Sequence, residues 1–417
     1  MASFPVLTVL EESQVSPPPA TVSDTLLPLT YFDFLWLRQP PIHNLFFYDL
    51  SITQTQFTQT IIPTLKHSLS ITLQHFFPFA GNLFVFPTST QKPEIRYVEG
   101  DSVAVKFAEC NRDFNELTAN HPRVCEKFYH LIPVLDQADK TSHSTKIPLF
   151  SVQVTLFPNS GIAIAMTNNH CLGETSTRFC FLNAWASIAR VGTNEWFLAN
   201  RTLPFYDRVV ENPKIDESYL VNFGKVETFK EDYVPPELCG PIDKVRATFI
   251  LPRVVLNRLK SLVSTQLPML AYVSSFTVAC GYIWSCLATT RQADELELFA
   301  FTIDCRARMN PPIPAAYFGN CVGGCMAMER TTRLTRKEGF VTAAKLIGES
   351  LHKTLSDKDG VVKEITGSFR DFFPGGFPTT TIGVAGTPKL KFYDLDFGWG
   401  ATRLPSLKPP SVVSNPS

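Results

Sequence analysis

The stretch LFSVQVTLFPNSGIAIAMTNNH, Leu149 to His170, constrains the chain more than any other. Phe150, Val152, Val154 and Leu156 alternate with small or polar neighbours. PNSG then turns the chain, and Ile162, Ile164 and Met166 alternate back. That period of two on both sides of a turn predicts a β-hairpin. From Thr175 to Ala189 the period changes: Phe179, Leu182, Trp185 and Ile188 are spaced for a helix. His170 therefore falls on the connection between a strand and a helix, where a rigid scaffold leaves a loop end open to substrate.

The rest of the chain reads as a mixture of both element types. The first thirty residues suggest a strand and a proline-rich loop, and Tyr31 to Leu50 is dense in aromatics and ends in a strand-like run. Phe57 to Phe77 has helical spacing, which Pro78 and Gly81 end. The pattern loosens between about Val191 and Gly240, where prolines and charges suggest a long connection between two halves. The strand KVRATFIL, a helix over Arg253–Ser264 and the apolar helix VSSFTVACGYIWSCLATT open the second half. The strand LELFAFTIDCRARM and a helix over Phe340–Leu355 follow. A length of 417 residues suits two domains better than one.

Charge and targeting signals exclude some function classes. The 38 basic and 38 acidic residues cancel, so no global field attracts nucleic acid or an anionic membrane. The N-terminus lacks the pattern of a secretory signal, and no apolar run has transmembrane length. The ten cysteines have neither zinc nor thioredoxin spacing and read as thiols in a reducing cytosol. Cys171, on an apolar step beside the histidine, reads as one of these. A P-loop is missing, so nothing argues for ATP.

Three short motifs then stand in order: HCLGE (His170 to Glu174), YFGNC (Tyr317 to Cys321) and DFGWG (Asp396 to Gly400). With LPLTYFDFLWL, HFFPFAGNL, STRFCFLNAW, FLANRTLPFYDR and DCRARMNPPIPAAYFGNC, the chain resembles the plant BAHD acyltransferases from about residue 5 to Gly400. It is most similar to the clade that malonylates anthocyanins and other phenolic glucosides. The resemblance implies an α/β (mixed α+β) fold of two similarly folded, chloramphenicol-acetyltransferase-like domains, each a mixed β-sheet flanked by helices. The active site is expected in the tunnel between them. The expected division is 1–190, a crossover over 191–240, 241–400, and a short disordered tail over 401–417.

The implied reaction moves malonyl from malonyl-CoA, a co-substrate, to the sugar 6-hydroxyl of a phenolic glucoside. A thioester is already activated, so neither a metal nor a covalent enzyme intermediate is required. What is needed is a base near neutrality, and histidine fits. His170 is the expected base; the plainer reading is a histidine capping a strand end. His43, His67, His75, His121, His130, His143 and His352 lie on helices or in polar stretches, and none ends an alternating strand.

The family has aspartate where this chain has Glu174, and that carboxylate pairs with an arginine to shape the histidine loop. Arg306 or Arg308 would be the partner here, Arg306 the favoured one. Glutamate keeps the charge but adds a methylene, so reduced activity is expected. Arg178 lies eight residues after His170, and positions i, i+4 and i+8 share a helical face. Its guanidinium is expected to grip the malonyl carboxylate, against the alternative of a surface ion pair. Asp396 resembles the family's second indispensable acid, expected to tie a strand end to an arginine. Lys260, Ser274 and Ser275 are the expected CoA contacts. The family continues for several dozen residues past Gly400, where this sequence is rich in proline and serine. Two function classes stay open: an active monomeric, cytoplasmic acyltransferase, and a non-catalytic relative that binds ligand or a partner.

Overall fold

The computed structural model describes residues 6–34, 36–37, 39–86, 91–200, 202–210, 215–217, 244–270, 273–356, 378, 380–385 and 390–403. Much of the expected crossover, 191–240, and the end of the expected tail, 404–417, lie outside the described residues. The chain divides into two compact units. One is drawn from Met1–Thr248, Ala316–Asn320 and Lys389–Ser417, the other from Phe249–Ala315 and Cys321–Pro388.

The first unit is built on a five-stranded sheet. Its strands are β1 (Leu7–Val15), β6 (Val103–Cys110), β10 (Phe150–Phe157), β11 (Gly161–Asn168) and β3 (Ile42–Asp49), in that spatial order. β10 and β11 form the hairpin expected from the alternation, with Phe150 opposite Asn168 and Phe157 opposite Gly161. β10 runs parallel to β6 and the other pairs are antiparallel. Every residue of β10 and β11 is buried, so both faces of the hairpin are covered. Cys110, Phe114, Leu117, Phe128, Leu131, Phe157 and Ala163 form one apolar cluster of this unit.

Helix α1 (Ile62–His75) follows a π-helical turn at Phe57–Ile61 and packs against α2 (Thr175–Val191). The fully buried Trp185 joins them by donating its indole N–H to the Leu65 carbonyl and the Ser68 hydroxyl, at 3.3 and 3.1 Å. α2 ends at Gly192, whose left-handed backbone (φ 85°) closes the last turn on Ile188. A second sheet of this unit orders β2 (Thr25–Pro28), β5 (Glu94–Tyr97), β4 (Asn82–Val85), β9 (Thr145–Pro148) and β8 (Asp139–Lys140).

The strand expected over KVRATFIL shrinks to β12 (Val245–Arg246), paired with the two residues of β7 (Arg123–Val124). The apolar pattern there has no sheet to join among the described residues, and Phe249 is left 86% exposed.

In the second unit β13 (Leu296–Asp304) lies between antiparallel β14 (Val322–Arg330) and parallel β15 (Thr380–Val384). Helices α3 (Arg253–Gln266), α4 (Ser275–Ala288) and α5 (Gly339–Ser356) complete it. Trp284, Phe299, Phe301, Ala343 and Ile347 fill its core. The Trp284 indole N–H donates to the buried Glu297 carboxylate at 3.0 Å.

Candidate active site

His170 sits where β11 runs out, at the start of a 3-10 turn over His170–Leu172. Asn169 caps that turn by accepting the Cys171 N–H on its side-chain oxygen at 3.1 Å. Gly173 follows with φ 153°; a Cβ there would meet the Thr177 side chain at 2.8 Å, so a bulkier residue has no room. Glu174 is the N-cap of α2. His170 thus precedes the helix, and the shared helical face expected for positions 170, 174 and 178 does not exist.

The loop is held from a distance. Asn320 donates one side-chain N–H to the His170 carbonyl at 3.0 Å and another to Asp33 Oδ1 at 2.9 Å. Asp33 and Asn320 are both fully buried. The other carboxylate oxygen of Asp33 accepts from the Thr30 N–H and hydroxyl. The segment Ala316–Asn320 is itself anchored in the first unit. Thr177 donates its hydroxyl to the Gly319 carbonyl at 3.1 Å, and Arg208 Nη1 donates to the Phe318 carbonyl at 2.8 Å. Asp33 and Asn320 were not singled out from the sequence. Both lie inside quoted motifs, but no local spacing links positions so far apart in the chain.

The ring of His170 is half-buried and stacked on Trp36, centroids 3.8 Å apart and planes 6° from parallel. Its Nδ1 is buried without a hydrogen-bond partner among the described residues. Burial, followed by the charge of Arg178, lowers the imidazole to about 4; the nearby His170 backbone and Asn320 oppose this only in part. The base is therefore neutral at pH 7, the form able to take a proton. Cys171 is buried and its thiol is pushed well above its ordinary value, first by burial and then by Asp33, so it is no thiolate nucleophile.

Arg178 is buried, and its side chain folds back to the first turn of α2. Nη1 donates to the Gly173 carbonyl at 3.2 Å and Nη2 to the Thr175 hydroxyl at 2.9 Å. Helical side chains tilt toward the N-terminus, which accounts for this direction. Its Nε–H has no partner among the described residues. Burial lowers its value to about 10 while Glu174 opposes the shift, so it stays charged at pH 7. Glu174 is buried and accepts the Ser176 hydroxyl at 2.8 Å.

The remaining expected residues belong to other elements. Asp396 Oδ1 accepts the N–H groups of Gly398 and Gly400, both at 2.8 Å, and Oδ2 lies 3.7 Å from Arg190. Arg190 is near the C-terminus of α2 and Arg178 is near its N-terminus, about 18 Å apart at the helical rise. In the second unit, Arg306 is buried in a 3-10 turn after β13 and pairs with Asp304 at 3.3 Å. Lys260 is half-buried on α3. Ser274 caps α4 by accepting the Thr277 N–H at 3.0 Å, and Ser275 is its exposed first residue. α3 and α4 pack together.

A family model described as the Transferase family matches residues 6–410. The chain is 51% identical over 413 residues to the malonyl-coenzyme A:anthocyanin 3-O-glucoside-6''-O-malonyltransferase of Dahlia pinnata, covering 96% of this chain and 88% of that protein. It is 42% identical over 400 residues to phenolic glucoside malonyltransferase 1 of Nicotiana tabacum, covering 94% and 87%. The crystal structure of vinorine synthase shares the fold, with a TM-score of 0.63 at 20% identity over 96% of this chain and 89% of that one.

Proposed function

We propose, from the premise that this chain belongs to the Transferase family, the plant BAHD acyltransferases, that it transfers malonyl from malonyl-CoA to a sugar hydroxyl of a phenolic glucoside. The observation that carries the reading is a neutral, half-buried histidine with the charge of a buried arginine acting on it. One supplies a base and the other a cation for the donor's free carboxylate. The relatives named as malonyltransferases support the same donor.

Nε2 of His170 takes the proton of the sugar 6-hydroxyl as its oxygen attacks the thioester carbonyl carbon. The C–S bond then breaks, and the imidazolium returns the proton to the departing CoA sulfur. The products are the malonyl ester and free CoA thiol. General-base assistance of this kind contributes about 10²–10⁴-fold, and holding the two substrates together supplies much of the rest. Arg178 receives the malonyl carboxylate through its unpartnered Nε–H. We assign Glu174 and Arg306 supporting roles, Glu174 from the N-cap of α2 and Arg306 from the turn after β13. Lys260, Ser274 and Ser275 receive the CoA phosphates, where a helix N-terminus and a cation suit an anion. Asp396 acts through the structure of its own loop.

Among the described residues no helix is long and apolar enough to cross a membrane. The nine described cysteines are free thiols, which supports placing the enzyme in the reducing cytoplasm; we propose it acts there as a monomer. The test is incubation with malonyl-CoA and a flavonoid 3-glucoside, following release of free thiol. Thiol release by the wild-type chain, with loss in His170→Ala, is expected. A folded wild-type sample no faster than His170→Ala would end this reading.

A further inference from the structure

Two buried tryptophans set a standard for this fold. Trp185 and Trp284 both give their indole N–H to an oxygen of the protein. Trp36 differs. Its Nε1–H is buried and meets no acceptor among the described residues. Native proteins keep few such groups, because a buried donor without an acceptor loses its water and gains nothing in return.

The backbone that carries Trp36 is well anchored. Asp33 accepts the Thr30 N–H, the Tyr31 N–H donates to the buried Asp216 at 2.8 Å, and the Trp36 N–H closes the turn on the Asp33 carbonyl at 3.0 Å. The indole is therefore a fixed platform, and it lies flat on the His170 ring. Whatever hydroxyl gives its proton to His170 must enter beside it. On a sugar that hydroxyl is flanked by the ring oxygen and by further hydroxyls, all of them acceptors.

We infer that Trp36 is an acceptor-binding and positioning residue: its face holds the imidazole plane, and its Nε1–H donates to an oxygen of the sugar whose hydroxyl His170 deprotonates. The inference rests on the acyl-transfer reading. It makes the unpartnered N–H a recognition element for the glycosyl part of the acceptor, whatever phenol the sugar carries. A site that offers such a donor discriminates against a ligand with no oxygen to receive it.

The test is steady-state kinetics of Trp36→Phe and Trp36→Leu with malonyl-CoA and a flavonoid glucoside. Phenylalanine keeps a flat face and lacks the N–H. KM for the glucoside is expected to rise about three- to tenfold in Trp36→Phe, the loss of one neutral hydrogen bond, with KM for malonyl-CoA and Tm unchanged. Trp36→Leu also removes the stack. Its kcat is expected to fall, and the acidic limb of its pH–rate profile to move up as water reaches the imidazole. An unchanged glucoside KM in Trp36→Phe, an equal rise in both KM values, or a fall in kcat alone would each overturn the inference. If wild type turns over and Trp36→Phe matches it, the inference alone fails. If wild type is no faster than His170→Ala, the acyl-transfer reading fails and takes the inference with it.

Discussion

Asn320 holds His170 by its carbonyl, at 3.0 Å, while its other amide hydrogen and its backbone N–H are held by Asp33, at 2.9 and 3.3 Å. A carboxylate that accepts from four donors has no use for an amide in its place. Asp33→Asn turns an NH₂ group toward at least one of those donors. The loop then loses charge-assisted bonds, each worth roughly 1.5–3 kcal/mol. The expected result is a fall in kcat of at least about tenfold, with a smaller change in KM and a lower Tm. Steady-state kinetics alongside a thermal melt measures both.

Arg178 is predicted to read the donor. Arg178→Ala should lower kcat/KM with malonyl-CoA by about ten- to a hundredfold, and with acetyl-CoA by much less, because only malonyl carries the carboxylate that needs a charge-assisted partner. The ratio of the two donors is the measurement. Equal losses would assign the guanidinium to holding Gly173 and Thr175 instead.

Glu174 stands at the N-cap of α2, yet its side chain makes no cap hydrogen bond. Aspartate is among the best N-cap residues, and capping contributes about 1 kcal/mol. Glu174→Asp is therefore expected to raise Tm. It is also expected to raise kcat by about two- to tenfold, since small displacements of a base cost rate. The partnership with Arg306 expected from the sequence has its own measurement. In a double-mutant cycle of Glu174→Gln and Arg306→Gln, a coupling above about 0.5 kcal/mol indicates an interacting pair.

Much of the fold was legible because its signals are local. The hairpin over 150–168 and the helix after Glu174 follow from periods of two and 3.6 within one stretch. Burial of both faces of β10 and β11 was not legible, because Ser151, Gln153 and Thr155 read as polar and solvent-facing. The KVRATFIL strand failed because alternation supplies a face but not a neighbour. His170 and Arg178 were visible in one motif. Asp33, Asn320 and Trp36 complete the surroundings of His170 from far along the chain, and only folding brings them there.

The depressed values of the histidines give a pH dependence with a definite sign. His170 and His130 both fall to about 4, chiefly through burial, and His43 and His75 are also lowered. An unfolded histidine binds protons below about 6.5, so between that pH and 4 the unfolded chain binds more protons than the folded one. Stability contributed by these neutral rings is complete above pH 6.5 and is lost as pH falls toward 4. Denaturant midpoints should therefore drop from pH 7 to pH 5. The acidic limb of kcat/KM for the free enzyme should lie near 4 and be absent from any activity left in His170→Ala.

Asp396 can act through either of two contacts, and they predict different mutants. The Arg190 contact is 3.7 Å long between side chains 44% and 30% exposed, a geometry that contributes little. The two bonds from the N–H groups of Gly398 and Gly400 are 2.8 Å each. Those glycines have φ values of +97° and +90°, so the carboxylate stabilises a backbone shape other residues avoid. That shape places Phe397 edge-on to Trp185, with centroids 5.0 Å apart, and Trp399 edge-on to Tyr48. Arg190→Met is therefore expected to keep Tm and activity near wild type. Asp396→Ala is expected to lose two charge-assisted bonds, lower Tm by several degrees and lower activity in parallel. Melting both variants and assaying them below their transitions separates the contacts. If Arg190→Met falls as far as Asp396→Ala, the ion pair rather than the glycine loop is what Asp396 supplies.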